Sequence, residues 1–356
     1  METTIQRAAT NVFIPVITKP ENLSVSPVVT PSVIMPTVQV AQKEVRNLPF
    51  IEVNTREVSL SHIKDDCIIP VFSKDNEVTI SHQSFIDSVL SAARAVFPHE
   101  EITDPVIRVS HVVKGRIPEA IHKPVSQLLE SDKTIYYERM MFCFEIPSIH
   151  QDIDGCRLNL TIGGVRAYNE QNLYSRKAPE KFRIFIGFKN MVCCNLCVST
   201  DGYKASLRVM DADSLISSAA DLFRSYDMQR HLTQMAAFKE CRMSESQFAQ
   251  FLGKCRLYQY LPSSRKKQLP ELLMTDTQVG LVAKSYLDDP DFGRDGNDGN
   301  DGNDTISLWK VFNLLTGANK SSYIDNFLDR AENASALTSG ICMALYGDPE
   351  YSWFLS

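Results

Sequence analysis

Arginine, lysine and asparagine recur off the apolar rows of several strand-like segments in the middle of this chain, a pattern that suits a surface tracking phosphates. Arg139, Arg157, Asn159, Arg183, Lys204 and Arg208 each fall opposite the apolar residues of their own segment. Arg108, Lys114 and Arg116 extend the set along Val106 to Arg116. If one face of a sheet packs on helices, these side chains occupy the other. An ordinary solvated strand face carries the same residue types, so the pattern has two readings.

Other chemistries are less well specified. Cys193-Cys194-Asn195-Leu196-Cys197 contains one C-x-x-C pair, whereas a closed zinc site needs four ligands and no second such pair occurs. Buried thiols are the simpler reading. His111 and His122 with Glu119, Glu138 and Glu145 have the residue types of an acid–base or metal site, but no H-E-x-x-H, Walker loop or G-x-S-x-G orders them. No catalytic set, metal site or cofactor is therefore assigned. Asp295 to Asp304 alternates oxygen side chains as calcium loops do, yet it lacks the bidentate glutamate and reads as a tandem expansion in a surface loop. Trp309, Phe312, Asn313 and Thr316 share one helix face; Asn313 there needs a buried partner, as a member of a structural network or of a site.

The bulk numbers agree with a globular protein that buries a real core: 356 residues, 44% hydrophobic and 22% charged, with a net charge of −6. Charge is uneven. Pro105 to Met210 holds 15 Lys and Arg against 10 Asp and Glu, a local +5 that leaves −11 for the rest. Nine cysteines without a secretory signal indicate a reducing compartment, and no run is long enough to span a membrane, so the expected location is the cytoplasm.

These residues need elements to hold them. Residues 1–47, with five prolines and one aromatic, form a disordered or extended arm able to add to a partner. Strands are expected over Ile51 to Leu60 and Cys67 to Phe72, and a helix over Ser84 to Val96. Further strands are expected over Val106 to Val113, Ile135 to Ile146 and Arg157 to Ile162, the last left at Gly163-Gly164. Phe182 to Val209 reads as two tight hairpins, with Asp201-Gly202 as a type I′ turn. After Met210 the period becomes helical: Asp213 to Phe238, Ser244 to Leu261, Pro270 to Tyr286, Ile306 to Leu315, Ser322 to Ala331 and Ala334 to Tyr346, with a capping box at Ser244/Gln247 and C-terminal caps at Gly317 and Gly347. The fold class is α+β, a mostly antiparallel sheet of about five or six strands followed by a helical C-terminal half. The expected regions are 48–210, rich in sheet, and 211–356, helical and on or beside the sheet, with a flexible loop over 288–304.

At IPSIHQDIDGCRLNLTIGGVRAYNEQNLYSRK, FIGFKNMVCCNLCVSTDGYK and SLWKVFNLLTGANKSSYIDNFLDRAEN the chain resembles an uncharacterised protein family of unknown function found on conjugative and other mobile elements of gut bacteria. The likeness runs from Phe50 to the C-terminus. More loosely, Val192-Cys193-x-Asn195 and Trp309-x-x-x-Asn313-x-x-Thr316 are similar to the V-C-x-N element and Trp-x-x-x-Asn-x-x-Thr helix of the phage/plasmid-like family. The resemblance implies a cytoplasmic mobile-element accessory protein, with no activity attached. Joined to the basic pattern, it leads to the expectation of a nucleic-acid-binding accessory protein that binds or anneals single strands, DNA or RNA. A protein-interaction role in counter-defence or regulation, using the arm, and an enzyme acting on nucleic acid are the alternatives.

Overall fold

The computed structural model describes residues 48–67, 80–120, 122–170, 179–292 and 305–356. The chain divides into Met1–Gln39 and Val40–Ser356. The first of these, the rest of the expected arm, the aspartate–glycine repeat and all but the start of the expected strand at 67–72 lie outside the described residues.

The fold is α+β. Its main sheet has seven antiparallel strands: β1 (Arg56–Val58), β2 (Val106–Arg116), β3 (Lys133–Ile153), β4 (Cys156–Ala167), β5 (Glu180–Asn190), β6 (Leu196–Cys197) and β7 (Tyr203–Val209). The order is β1-β2-β3-β4-β5, and β6 and β7 follow one another along the free edge of β5. The two-residue turn with φ > 0 at both centres is Asp154-Gly155, at 50° and 74°, which joins β3 to β4. Asp201-Gly202 instead ends a 3₁₀ turn, Thr200–Gly202, with no positive φ, because β7 continues along the edge begun by β6 and does not fold back on it. Nor does β4 stop at Gly163-Gly164. It runs on to Ala167, since glycine there lets neighbouring chains approach closely.

Helices α1 (Leu60–Asp65) and α2 (His82–Val96) lie between β1 and β2. The C-terminal half supplies α3 (Ala212–Ser225), α4 (Met228–Glu240), α5 (Glu245–Tyr260), α6 (Ser263–Lys266), α7 (Asp276–Asp288), α8 (Leu308–Asn319) and α9 (Ile324–Leu345), with a small β8–β9 ladder (Arg242–Ser244, Thr305–Ser307). Caps set the boundaries. Ser244 and Gln247 form the expected capping box, and Thr275 with Gln278 forms another, so α7 starts after Pro270. The helix expected over 213–238 breaks at Tyr226-Asp227, because the Asp227 carboxylate accepts Arg230 N–H and begins α4. The two expected over 322–346 are one, with Gly347 at φ +100° beyond its end, and Gly317 lies inside α8.

Both faces of the sheet are covered. Met140, Phe142, Phe144 and Ile146 of β3 belong to the large core with Phe85 of α2 and Leu215 of α3. Met141 and Cys143 point the other way, into a smaller core with Phe185, Phe50, Ile51 and the Ile324, Phe327, Leu328 and Ala331 stripe of α9. The expected open outer face is thus overturned: β4 and β5 are buried almost end to end. Among the described residues no helix is long and apolar enough to cross a membrane.

Candidate nucleic-acid interface

α9 brings a carboxylate row to the sheet. Asp325, Asp329 and Glu332 recur at i, i+4 and i+7 and so share one face of the helix. Arg139 Nε lies 3.7 Å from Asp325, and Arg183 Nε 3.9 Å from Asp329, whose other oxygen accepts the Tyr203 hydroxyl at 2.6 Å. Arg183 is 8% exposed and also binds Glu170 at 2.9 Å, with Lys181 on the second Glu170 oxygen at 2.7 Å. Asn159, 4% exposed, donates to Glu145 at 2.8 Å, and Lys189 pairs with the same carboxylate at 2.8 Å. Arg108 bonds Thr55 and lies 3.7 Å from Glu57. Arg183 and Asn159 are therefore not surface residues as their alternation suggested, and Arg139 and Arg108 are largely enclosed. Part of the excess of base in the middle of the sequence and of acid near its end meets inside the molecule.

Burial alone would raise the Glu170 carboxyl, but hydrogen bonds from Arg183 and Lys181 outweigh it and hold the folded value below the ordinary 4.5. A carboxylate depressed in this way adds stability that is complete above its unfolded pKa and lost as pH falls through the folded value. Glu170→Gln is expected to be less stable than the parent at pH 7 and to lose stability more gently on acidification below pH 4.5. Denaturant midpoints across that range measure it; parallel acid limbs would mean the pairs contribute nothing.

Four of the nine candidate base-bearing or amide positions remain exposed. Lys114 lies near the end of β2, Arg157 at the start of β4, and Lys204 and Arg208 on β7. Arg157 bonds Asn159 Oδ1 at 3.1 Å and Pro147 O at 3.0 Å. Arg116 is half-buried, with one guanidinium nitrogen on Lys123 O at 2.7 Å. Lys204, Ser206 and Arg208 are exposed on an edge strand, but not as the single row their alternation suggested: a register shift between Phe182 and Ile184 sets Lys204, opposite Ile184, and Arg208, opposite Lys181, on different faces of β7.

The motif positions converge elsewhere. Asn190 donates to Asn313 Oδ1 at 2.9 Å, Asn313 donates to Trp309 O at 2.9 Å, and Asn195 donates to Asn313 O at 2.9 Å and Thr316 Oγ1 at 3.1 Å. Lys320 Nζ caps Cys193 O. Asn195 Oδ1 and Trp309 Nε1 have no partner in the interior among the described residues. This network fastens the turn after β5, where Cys194 sits at φ +58°, onto α8. Burial pushes the Cys193 thiol up to about 12 and Cys197 well above its usual value, as inert core thiols require.

The acid–base candidates stay apart. Glu145 is held by Lys189 and Asn159, Glu138 lies 3.6 Å from Arg139, and His111, His122 and Glu119 are exposed. Two features escape the sequence patterns. Val125 and Leu129 are 76% and 64% exposed in the β2–β3 connection, which no periodicity covers, beside Val112 of β2 at 47%. Ser61-His62-Ile63-Lys64-Asp65-Asp66-Cys67 puts a histidine, an aspartate and a cysteine at i, i+4 and i+5, a spacing that signals one helical turn had the segment been read as helix.

The arrangement is that of an α+β protein with a sheet sandwiched between helices and a charged seam under its last long helix. Residues 31–355 match the family described as "Domain of unknown function, B. Theta Gene description (DUF3871)", and the chain belongs to that family. No curated protein and no solved structure matches it.

Proposed function

We propose that this chain is a nucleic-acid-binding accessory protein of a mobile genetic element, acting in the cytoplasm on single-stranded DNA or RNA. The observation that carries the reading is the β7 edge: Lys204 and Arg208 stand exposed along the free edge of the sheet, one on each face of the strand across the register shift between Phe182 and Ile184, and neither makes an ion pair among the described residues. Unpaired cations are the groups that contact phosphate oxygens. The relation to the phage/plasmid-like family is part of the same proposal, with Cys193, Asn195, Trp309, Asn313 and Thr316 as its shared framework.

Fluorescence anisotropy with a labelled single strand tests it. Binding is expected at about 50 mM salt and to weaken steeply as salt rises, each neutralised phosphate contributing about −0.7 to the log–log slope. Replacing Lys204 and Arg208 together by alanine is expected to flatten that slope by about 1.4 units. Arg183 is not part of the test, since it is buried and paired with Glu170. No association at low salt would overturn the proposal. It would favour a protein-interaction role, which rests on the exposed Val112, Val125 and Leu129 beside charges already paired as Lys123–Asp132 and Lys133–Glu130.

A further inference from the structure

Away from the seam, the end of α1 and the start of α2 share a cleft lined by Lys64, Cys67, Ser81, His82, Gln83 and Tyr136. His62 Nδ1 lies 2.7 Å from Asp66 Oδ2, and His62 Nε2 lies 3.7 Å from Cys67 Sγ. A carboxylate only accepts, so Nδ1 carries the proton and Nε2 presents its lone pair. The Tyr137 hydroxyl lies 2.9 Å from the same Nε2 and takes a bond from Arg56, so its O–H must turn aside for Nε2 to accept a proton from the thiol, after which the Nε2–H can donate to the Tyr137 oxygen. Cys67 is half-buried on the cleft wall.

α2 supplies another part of that wall. Ser81 caps the helix through Ser84 N–H, and the first turn holds no acidic residue, so the N–H groups of His82 and Gln83 have no partner within the helix. His82 is 3% exposed; its Nε2 donates to Tyr137 O at 2.7 Å and its Nδ1 has no partner among the described residues. Burial, then Arg166, hold His82 neutral by lowering it to about 3, which leaves Nδ1 a buried acceptor.

We propose that this cleft is a cysteine acyl-transfer centre for small ester or thioester substrates. Cys67 is the nucleophile, His62 the general base, and Asp66 the positioning residue that keeps His62 in its working tautomer. Burial and the neighbouring Asp66 push the Cys67 thiol up to about 11, so the sulfur is protonated at neutral pH and depends on His62. The thiol proton passes to His62 Nε2 as sulfur bonds the carbonyl carbon and the π pair moves to oxygen. The N–H groups of His82 and Gln83, which line the same cleft as Cys67 and have no partner within α2, are the donors for that oxyanion. Collapse re-forms the carbonyl, breaks the bond to the leaving group and returns the proton from His62 to the departing alkoxide or thiolate. Water, deprotonated by the same imidazole, then attacks the thioester, releases the carboxylic acid and restores the thiol.

The probe is p-nitrophenyl acetate with the full chain, read as p-nitrophenol release and by peptide mass spectrometry of the acetyl adduct. The expected result is acetylation of Cys67 ahead of the half-buried Cys193 and Cys342, abolished at that position in Cys67→Ser. His62→Gln is expected to slow acylation about a hundredfold. Asp66, 64% exposed, can be exchanged without disturbing the core, so Asp66→Asn reports on the site even where His62→Gln folds poorly. His62 faces Asp66 and Cys67 beyond α1 and Tyr137 from β3, whose hydroxyl takes a bond from Arg56 of β1, while Lys64 from α1 and His82 from α2 line the cleft with Cys67. Loss of the carboxylate is expected to lower the rate and move the acid limb of the pH–rate profile to lower pH, a change that lost packing would not produce. Acetyl groups spread over cysteines with no preference for Cys67, or a folded Asp66→Asn with the parent's rate and profile, would overturn the proposal.

Discussion

Glu180→Ala is expected to cost about 3–5 kcal/mol of folding stability, the range for removing one partner of a buried ion pair. Arg166 is fully buried in β4, and its guanidinium pairs with the Glu180 carboxylate and donates to Ile80 O. The rings of Tyr168 and Phe182 lie 4.5 and 4.4 Å from its central carbon, so the cation is enclosed by aromatic faces and one carboxylate. Ring quadrupoles offset only part of the desolvation of a cation, so the carboxylate is the group that makes burial tolerable. Glu180 also accepts Ile80 N–H at 2.9 Å, next to the Ser81 cap of α2, so its loss loosens the entry of that helix as well. The check is denaturant unfolding of Glu180→Ala beside the double replacement Arg166→Met/Glu180→Leu. The double variant is expected to recover most of the loss, because two apolar side chains strand no charge. A single-variant loss below about 1 kcal/mol, the size of an exposed pair, would mean that water reaches Arg166.

Alternation made the sheet legible. The residues of β4, of β5 and of β3 as far as Ile146 do switch faces at every step, β3 losing its register between Ile146 and His150, and the capping box at Ser244 marked its helix to the residue. Alternation states which residues share a face, however, and not what lies on that face. Leu158 and Leu160 faced one way and Arg157 and Asn159 the other as read, but Asn159 is buried because Glu145 and Lys189 close around it. A second covering layer was recorded in the sequence as the Ile324, Phe327, Leu328, Ala331 stripe, which does not say which surface it covers, and as the Asp325, Asp329, Glu332 spacing, which is equally that of a solvated helix face. The network of Asn195 and Asn313 was legible as a need for partners and not as a pairing, since the two lie 118 residues apart in sequence. Cys67 and His62 were missed because Ile51 to Leu60 read as strand, whereas β1 ends at Val58 and the Ser59 hydroxyl caps α1.

Gly163→Ala is expected to remove more than about 4 kcal/mol and to yield little folded protein, a magnitude reserved for backbone conflicts and lost cores. A Cβ at Gly163 would fall on the carbonyl oxygen of Phe142, 2.8 Å from Phe185 Cε1 and 2.9 Å from Cys143 Cα. Relief would require moving a neighbouring strand, and Gly163 pairs with Cys143 on one side and Phe185 on the other, so neither strand can retreat alone. Phe142 belongs to the large core and Phe185 to the small one, hence displacement opens both. The neighbouring Gly164 is blocked by the Phe85 ring of α2 and by Arg183 O, which explains why two glycines stand together in a strand. Gly253 is the internal comparison: it lies within α5 with nothing within 4 Å of a Cβ, so Gly253→Ala is expected to stabilise by about 1 kcal/mol through helix propensity. Guanidinium midpoints of the two variants against the parent should therefore move in opposite directions. A Gly163→Ala protein that folds within about 1 kcal/mol of the parent would mean that β3 and β4 lie farther apart than the register places them.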